Sequence, residues 1–211
     1  MSIGVSVVRE QQFSAQTLVV RGQDNTRNPP LRIASDIIGN PLTTIKTINM
    51  KENIIIKRAT KDDCKTLANV IETVVQAIPY YNDLAKQSEI AKFQTSDLIS
   101  KIEADKHSVI IATINDEIVG FCMTRFDDYI ILLEWFGVLE THRGKGIANL
   151  LLTALNETIS IRQCHKIWCD CRTSNKASIH ILTNHGFKQL VTILNHWYKQ
   201  DFILWEKEIN R

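Results

Sequence analysis

From Ile54 onward the apolar positions switch between a period of two and a period of three to four, and each switch marks a new element. Ile54 to Arg58 reads as a short strand. Thr60 with Asp63 three residues later is a helix-start signal. Cys64, Leu67, Ala68, Ile71, Val74, Val75 and Ile78 then mark one helical face, which Pro79 stops. Helices are also predicted over Asp83 to about Lys92 and Ser96 to about Ala104. The apolar runs Val109 to Ala112 and Ile118 to Cys122, joined through Asn115-Asp116, predict a hairpin, and Ile130 to Val138 predicts a further strand. Ile147, Leu150, Leu151, Ala154 and Leu155 return to helical spacing, and Lys166 to Cys171 is the next strand. A last helix runs from about Asn175 to Gly186, a natural left-handed cap residue, before two terminal strands around Phe187 and over Phe202 to Lys207. Interleaved helices and strands of this kind predict an α/β or mixed α+β domain over residues 51–211, with both parallel and antiparallel pairings. Residues 1–50 lack this order. They hold a β-like run, Thr17 to Val20, and a polar breaker from Gly22 to Pro30, and are expected to form an N-terminal extension.

Composition narrows the function classes. A chain of 211 residues buries one good core, so one active site is sought. With 25 basic and 23 acidic side chains the net charge is +2, and no clustered basic stretch predicts a nucleic-acid partner. No apolar run approaches the ~20 residues needed to span a bilayer. Met1 to Glu10 also lacks the basic start and apolar core of a signal peptide, so no membrane partner and a cytoplasmic location are expected. The five cysteines, Cys64, Cys122, Cys164, Cys169 and Cys171, are odd in number and sit in apolar runs, which predicts reduced thiols. Cys169 and Cys171 have no second Cys or His pair, so no metal site is expected.

The chemistry concentrates in Arg143-Gly144-Lys145-Gly146-Ile147-Ala148, between the strand ending near Val138 and the helix starting near Ile147. Glycines at a strand-to-helix turn let the backbone approach a ligand, and the first N–H groups of the helix sit unpaired at its positive end. A pyrophosphate suits such a place, with Arg143 and Lys145 adding charge at the rim. The competing reading is a glycine turn with solvated basic side chains. A P-loop is excluded by the lack of Gly-x-x-x-x-Gly-Lys-Ser/Thr, and a dinucleotide fingerprint would need Gly at Asn149.

This string resembles the Arg/Gln-x-x-Gly-x-Gly/Ala signature of the GNAT superfamily of N-acetyltransferases through Arg143, Gly146 and Ala148. Leu133 to Val138 is similar to that family's fourth strand, and Asn175 followed by Gly186-Phe187 to its second motif. Tyr198 to Lys207 resembles the last strand of many members, so the likeness spans about Ile54 to Glu208. It implies a central mixed, mostly antiparallel twisted sheet, splayed between the fourth and fifth strands and flanked by helices. It also implies acetyl-CoA as cosubstrate: main-chain groups near Phe136, Gly137 and Val138 on the pantetheine arm, Arg143, Gly144, Lys145, Gly146, Ile147 and Ala148 on the pyrophosphate, and Asn175 as a further contact. A primary amine of a small molecule or peptide would attack the acetyl carbonyl directly. Because a lysine-like amine has a reference pKa near ~10.4, a base is needed, and Glu134 is the candidate, set against a strand carboxylate on a solvated face. Tyr80 and Tyr81 lie where the family builds its acceptor wall. The family's usual general-acid tyrosine is replaced by Leu182, leaving water or another hydroxyl, with Tyr198 as a candidate. Because of Leu182, a coenzyme-binding regulatory module without turnover stands as the alternative. The assembly is left open, a homodimer among the options.

Overall fold

A computed structural model describes residues 53–209. The expected N-terminal extension, residues 1–50, lies outside the described residues. Among the described residues seven strands form one sheet: β1 (Ile54–Arg58), β2 (Val109–Ile114), β3 (Glu117–Asp127), β4 (Ile130–Val138), β5 (Lys166–Arg172), β6 (Lys188–Ile193) and β7 (Phe202–Glu208), in the order β1-β2-β3-β4-β5-β7-β6. Five α-helices among the same residues flank it: α1 (Cys64–Gln76), α2 (Asp83–Lys92), α3 (Thr95–Ala104), α4 (Ile147–Arg162) and α5 (Lys176–Asn184). Every neighbouring pair is antiparallel except β4 and β5, which run parallel. That exception follows from sequence, because a parallel neighbour needs a crossover and α4 supplies it.

Two apolar layers cover the sheet. On one face Leu67, Val70, Ile71 and Val74 of α1, with Leu98 and Ile102 of α3, pack against Ile111, Phe121 and Met123. On the other, Ile147, Leu151, Leu155 and Ile159 of α4, with Leu182 of α5, pack against Ile110, Cys122, Ile131 and Ile167. The alternation of Phe121, Cys122 and Met123 between the layers is the period of two that the sequence displays. Local signals act where expected. The Thr60 amide donates to Asp63 Oδ2 at 2.8 Å, and Asn115 and Asp116 take φ values of 50° and 66°, the left-handed pair of a tight two-residue hairpin. Asp128 and Tyr129, at 43° and 65°, make a second such turn between β3 and β4. All five cysteines are buried and unpaired with one another.

Candidate active site

β4 and β5 are partners only at Ile130–Lys166, Ile131–Ile167 and Leu132–Trp168. Beyond that point each keeps its outer neighbour, β3 or β7, and the two part from one another. The cause lies in β4. Its register with β3 slips by one residue between the pairs Thr124–Leu133 and Met123–Trp135, so Glu134 is the extra residue of a bulge. A bulge bends and further twists its strand, here at the place where pairing to β5 stops.

The parting leaves main-chain groups of β4 turned to the gap. Leu139 donates to Val119 in β3 at 2.9 Å. By the alternation of an extended chain, Gly137 faces β3 as Leu139 does, while Phe136 and Val138 face the edge β5 has left. Arg143 Nε reaches the Val138 carbonyl from that side at 3.3 Å. Gly137 is required by packing: a Cβ there would sit 2.8 Å from Phe121 Cζ and 3.0 Å from Val74 Cγ1.

Just past β4 the chain turns through Arg143 to Gly146 into α4. Gly144 and Gly146 take φ of 78° and 80°, and a Cβ on either would meet no protein atom within 4 Å. The first α4 bond runs from the Leu150 amide to the Gly146 carbonyl at 3.1 Å, and no side chain caps the helix start. The amides of Ile147, Ala148 and Asn149 therefore lie ahead of the first intrahelical bond, at the positive end of a 16-residue helix. Open space, left-handed glycines and unbonded amides make a concave cradle for an anion, which fits the diphosphate of a coenzyme. Asn175 does other work in the structure. Its Oδ1 accepts from the Ser178 amide at 3.1 Å, capping α5, while its Nδ2 donates to Ser178 Oγ at 2.7 Å.

The sequence profile of the Acetyltransferase (GNAT) family matches residues 78–187, more than half of the chain. The chain belongs to the acetyltransferase (GNAT) family. An acetyltransferase of Pectobacterium atrosepticum is 35% identical over 83 residues, 39% of this chain and 59% of that protein, so the match spans less than two thirds of the relative's length. Among solved structures, the acetyltransferase yncA of Salmonella typhimurium, with acetyl-CoA, superposes with a TM-score of 0.62 at 19% identity, over 75% of this chain and 95% of its own. The paia N-acetyltransferase of Thermoplasma acidophilum, with coenzyme A, gives 0.65 at 16% identity over 74% and 99%. These two share the GNAT fold, whose mixed sheet and flanking helices are those described above.

Within this GNAT domain one end of the gap opens on the α1–α3 face. Tyr81, in the turn between α1 and α2, spans the parted strands: its ring is edge-on to Trp135 of β4 at 6.2 Å, and the Arg172 guanidinium of β5 lies 3.5 Å from its centre. Tyr80 is edge-on to Tyr81 at 5.7 Å, and Gln200 Nε2 donates to its carbonyl at 2.8 Å. Burial raises the Tyr80 hydroxyl pKa, while the charges of Arg172 and Arg143 pull it down. Tyr198 stands in the β6–β7 connection with φ of 56°. Its hydroxyl donates to Glu89 Oε1 at 2.7 Å and accepts from Lys92 Nζ at 2.9 Å, so α2 holds it. Glu134, in the bulge, pairs with Lys101 of α3 at 2.6 Å, with the two side chains 32% and 19% exposed. Leu182 is fully buried in the α4–α5 layer.

Three residues outside the sequence reading line the same end of the gap. Glu89 of α2, only 8% exposed, accepts from Trp135 Nε1 at 3.2 Å as well as from Tyr198, and so ties α2, β4 and the β6–β7 connection together. Asp170 of β5 lies two residues past the last β4–β5 pair, open to water along the gap yet walled by protein elsewhere. Burial pushes its carboxyl above the ordinary carboxylate range. His196, Arg172 and the Trp197 ring N–H pull it back, and Glu89 pushes it further up. Arg172 is 5% exposed and donates from Nε to Gln200 Oε1 at 2.7 Å. The only sequence signal for Asp170 and Arg172 is their alternation with cysteines along the strand, which reads equally as a half-buried β5.

Proposed function

We propose that the chain transfers an acetyl group from acetyl-CoA to an amine held in the gap between β4 and β5. One observation carries this reading: two strands pair over three residues and then part beside a helix start whose amides have no intrahelical partner. In this reading the pyrophosphate lies on Gly144 to Ala148 with Arg143 and Lys145 at the rim, and the main chain of Phe136 and Val138 lines the pantetheine arm. Acetyl-CoA supplies the acetyl thioester. The amine arrives beside Tyr80 and Tyr81, and its nitrogen forms the new bond to the acetyl carbon as the carbon–sulfur bond breaks.

The proton on the amine needs a taker, and the geometry favours Asp170 over Glu134. Glu134 is committed to Lys101, whereas Asp170 faces the gap, makes no ion pair among the described residues and has a raised pKa that brings it nearer the amine. The proton leaves through Asp170 to water, and the coenzyme departs as its thiolate and is protonated by solvent. Tyr198 serves as a wall of the acceptor end, since its hydroxyl is already bonded to Glu89 and Lys92. Direct attack is favoured over an acyl-enzyme. Cys169 and Cys171 turn into the α4–α5 layer, and burial raises their thiols, Cys171 to about 11.

Release of free coenzyme thiol on mixing the protein with acetyl-CoA and a panel of amines tests the proposal, and no amine-dependent release across the panel sinks it. A coenzyme-binding module without turnover is the reading that the buried Leu182 favours, and tight acetyl-CoA binding with no transfer decides for it.

A further inference from the structure

Asp170 and Arg172 carry opposite charges on one face of β5, their Cα positions two residues and so about 6.6 Å apart along the strand. Neither belongs to an ion pair among the described residues, with each other or with anything else. Arg172 is 5% exposed, and its Nη2 has no hydrogen-bond partner. Around it stand Gln200 on Nε, the Tyr81 hydroxyl as a further side-chain partner, and the rings of Tyr81, Phe202 and Tyr198, at 3.5, 4.9 and 5.6 Å. Aromatic faces, one amide oxygen and the Tyr81 hydroxyl soften the burial of the guanidinium, but no carboxylate among the described residues bonds it directly and Nη2 is left idle. A buried cation with an idle donor, beside a carboxylate in no ion pair within the gap that would hold the acceptor, calls for a ligand bearing both complementary charges at short separation.

We infer that the acceptor is an α-amino acid, its amino group set against Asp170 and its carboxylate received by Arg172. A charge-assisted hydrogen bond of about 2.8 Å would close either end. The half-buried Tyr80 and Tyr81 form the roof, and entry of the carboxylate shifts one of these side chains aside. A polyamine would instead bring a second cation towards Arg172, and a peptide N terminus would offer only a neutral carbonyl. This inference rests on the acetyl-transfer reading, and its products are an N-acetyl amino acid and free coenzyme thiol.

The test compares each of the common L-amino acids with its own primary amide and decarboxylated amine, in thiol release and in calorimetry against the coenzyme-loaded protein. At least one amino acid should be acetylated with kcat/KM about 100-fold or more above its amide and amine, and should bind where they do not. Equal use of the amide or the amine overturns the inference and leaves acetyl transfer standing. If no compound releases thiol, acetyl transfer is judged by the wider amine panel and calorimetry alone judges the site: amino-acid binding without amide binding supports it, and any other pattern ends it. Arg172→Lys, checked by a thermal melt, should raise the amino-acid KM at least about 10-fold and erase the preference over the amide while acetyl-CoA affinity holds. Retention of the preference by the folded variant also overturns it.

Discussion

Three glycines share one backbone conformation but not one location, which separates coenzyme recognition from folding. Gly146 and Gly186 have φ of 80° and 79°, and a Cβ on either meets nothing within 4 Å. Alanine at either position therefore incurs the left-handed penalty and no clash, about 1–2 kcal/mol. For a chain of this size that lowers the melting midpoint by roughly 2–8 °C, and by similar amounts in the two variants. Their binding should diverge. At Gly146 the added methyl projects into the open space ahead of the α4 amides, where the diphosphate would lie, whereas Gly186 follows the far end of α5. Losing two charge-assisted hydrogen bonds at about 1.5 kcal/mol each weakens binding by roughly 100-fold. Calorimetry with acetyl-CoA on both variants, beside thermal melts, reads the two effects separately. If folded Gly146→Ala binds as well as Gly186→Ala, the coenzyme does not use this turn, and the assignment of Arg143 to Ala148 goes with it.

Other expected outcomes concern the acceptor end. Asp170→Asn should remove the acid limb of the pH–rate profile. Because the folded pKa is raised, wild-type stability should fall as pH rises from the ordinary carboxylate value through the raised one, and the variant should lack that loss and melt higher at neutral pH. A lower melting point for Asp170→Asn at neutral pH, with the acid limb intact, would return this residue to a plain strand role. Glu134→Gln should leave the pH profile unchanged and cost about 1 kcal/mol or less, since it breaks one partly exposed ion pair; a rate that recovers as pH rises would restore Glu134 as the base. Glu89→Gln removes a negative neighbour of Asp170, so the acid limb should move to lower pH while acceptor KM rises through the loosened Tyr198 and Trp135; an unmoved limb counts against this coupling.

The elements were legible because their signals are local. The stripe of α1, the turn residues Asn115 and Asp116, and the glycine that follows α5 act within a few residues, and the strands Ile54–Arg58 and Ile130–Val138 match their apolar runs end for end. The glycine turn before α4 was equally readable, since positive φ and a helix start are both written in neighbouring residues. The acceptor end was not. Glu89 lies on α2, a helix of weak apolar pattern, and its role comes from Trp135 and Tyr198, 46 and 109 residues away. Asp170 and Arg172 alternate with Cys169 and Cys171 as any half-buried strand does, and only the parting of β4 from β5 turns their face to a gap. The setting of Glu134 was hidden for a related reason. A bulge leaves no mark in composition, and the ion pair to Lys101 joins residues 33 apart.

The gap between β4 and β5 also bears on how mutational scans of this domain will read. Where an extended edge offers amides and carbonyls, any non-proline residue offers much the same ones. Phe136 and Val138 can thus change their side chains to suit the α4–α5 layer while presenting an unaltered edge to whatever lies in the gap. Alanine scanning will therefore record this stretch of β4 as packing alone. A backbone edit, such as an ester in place of the amide at Val138, would expose what side-chain substitution conceals.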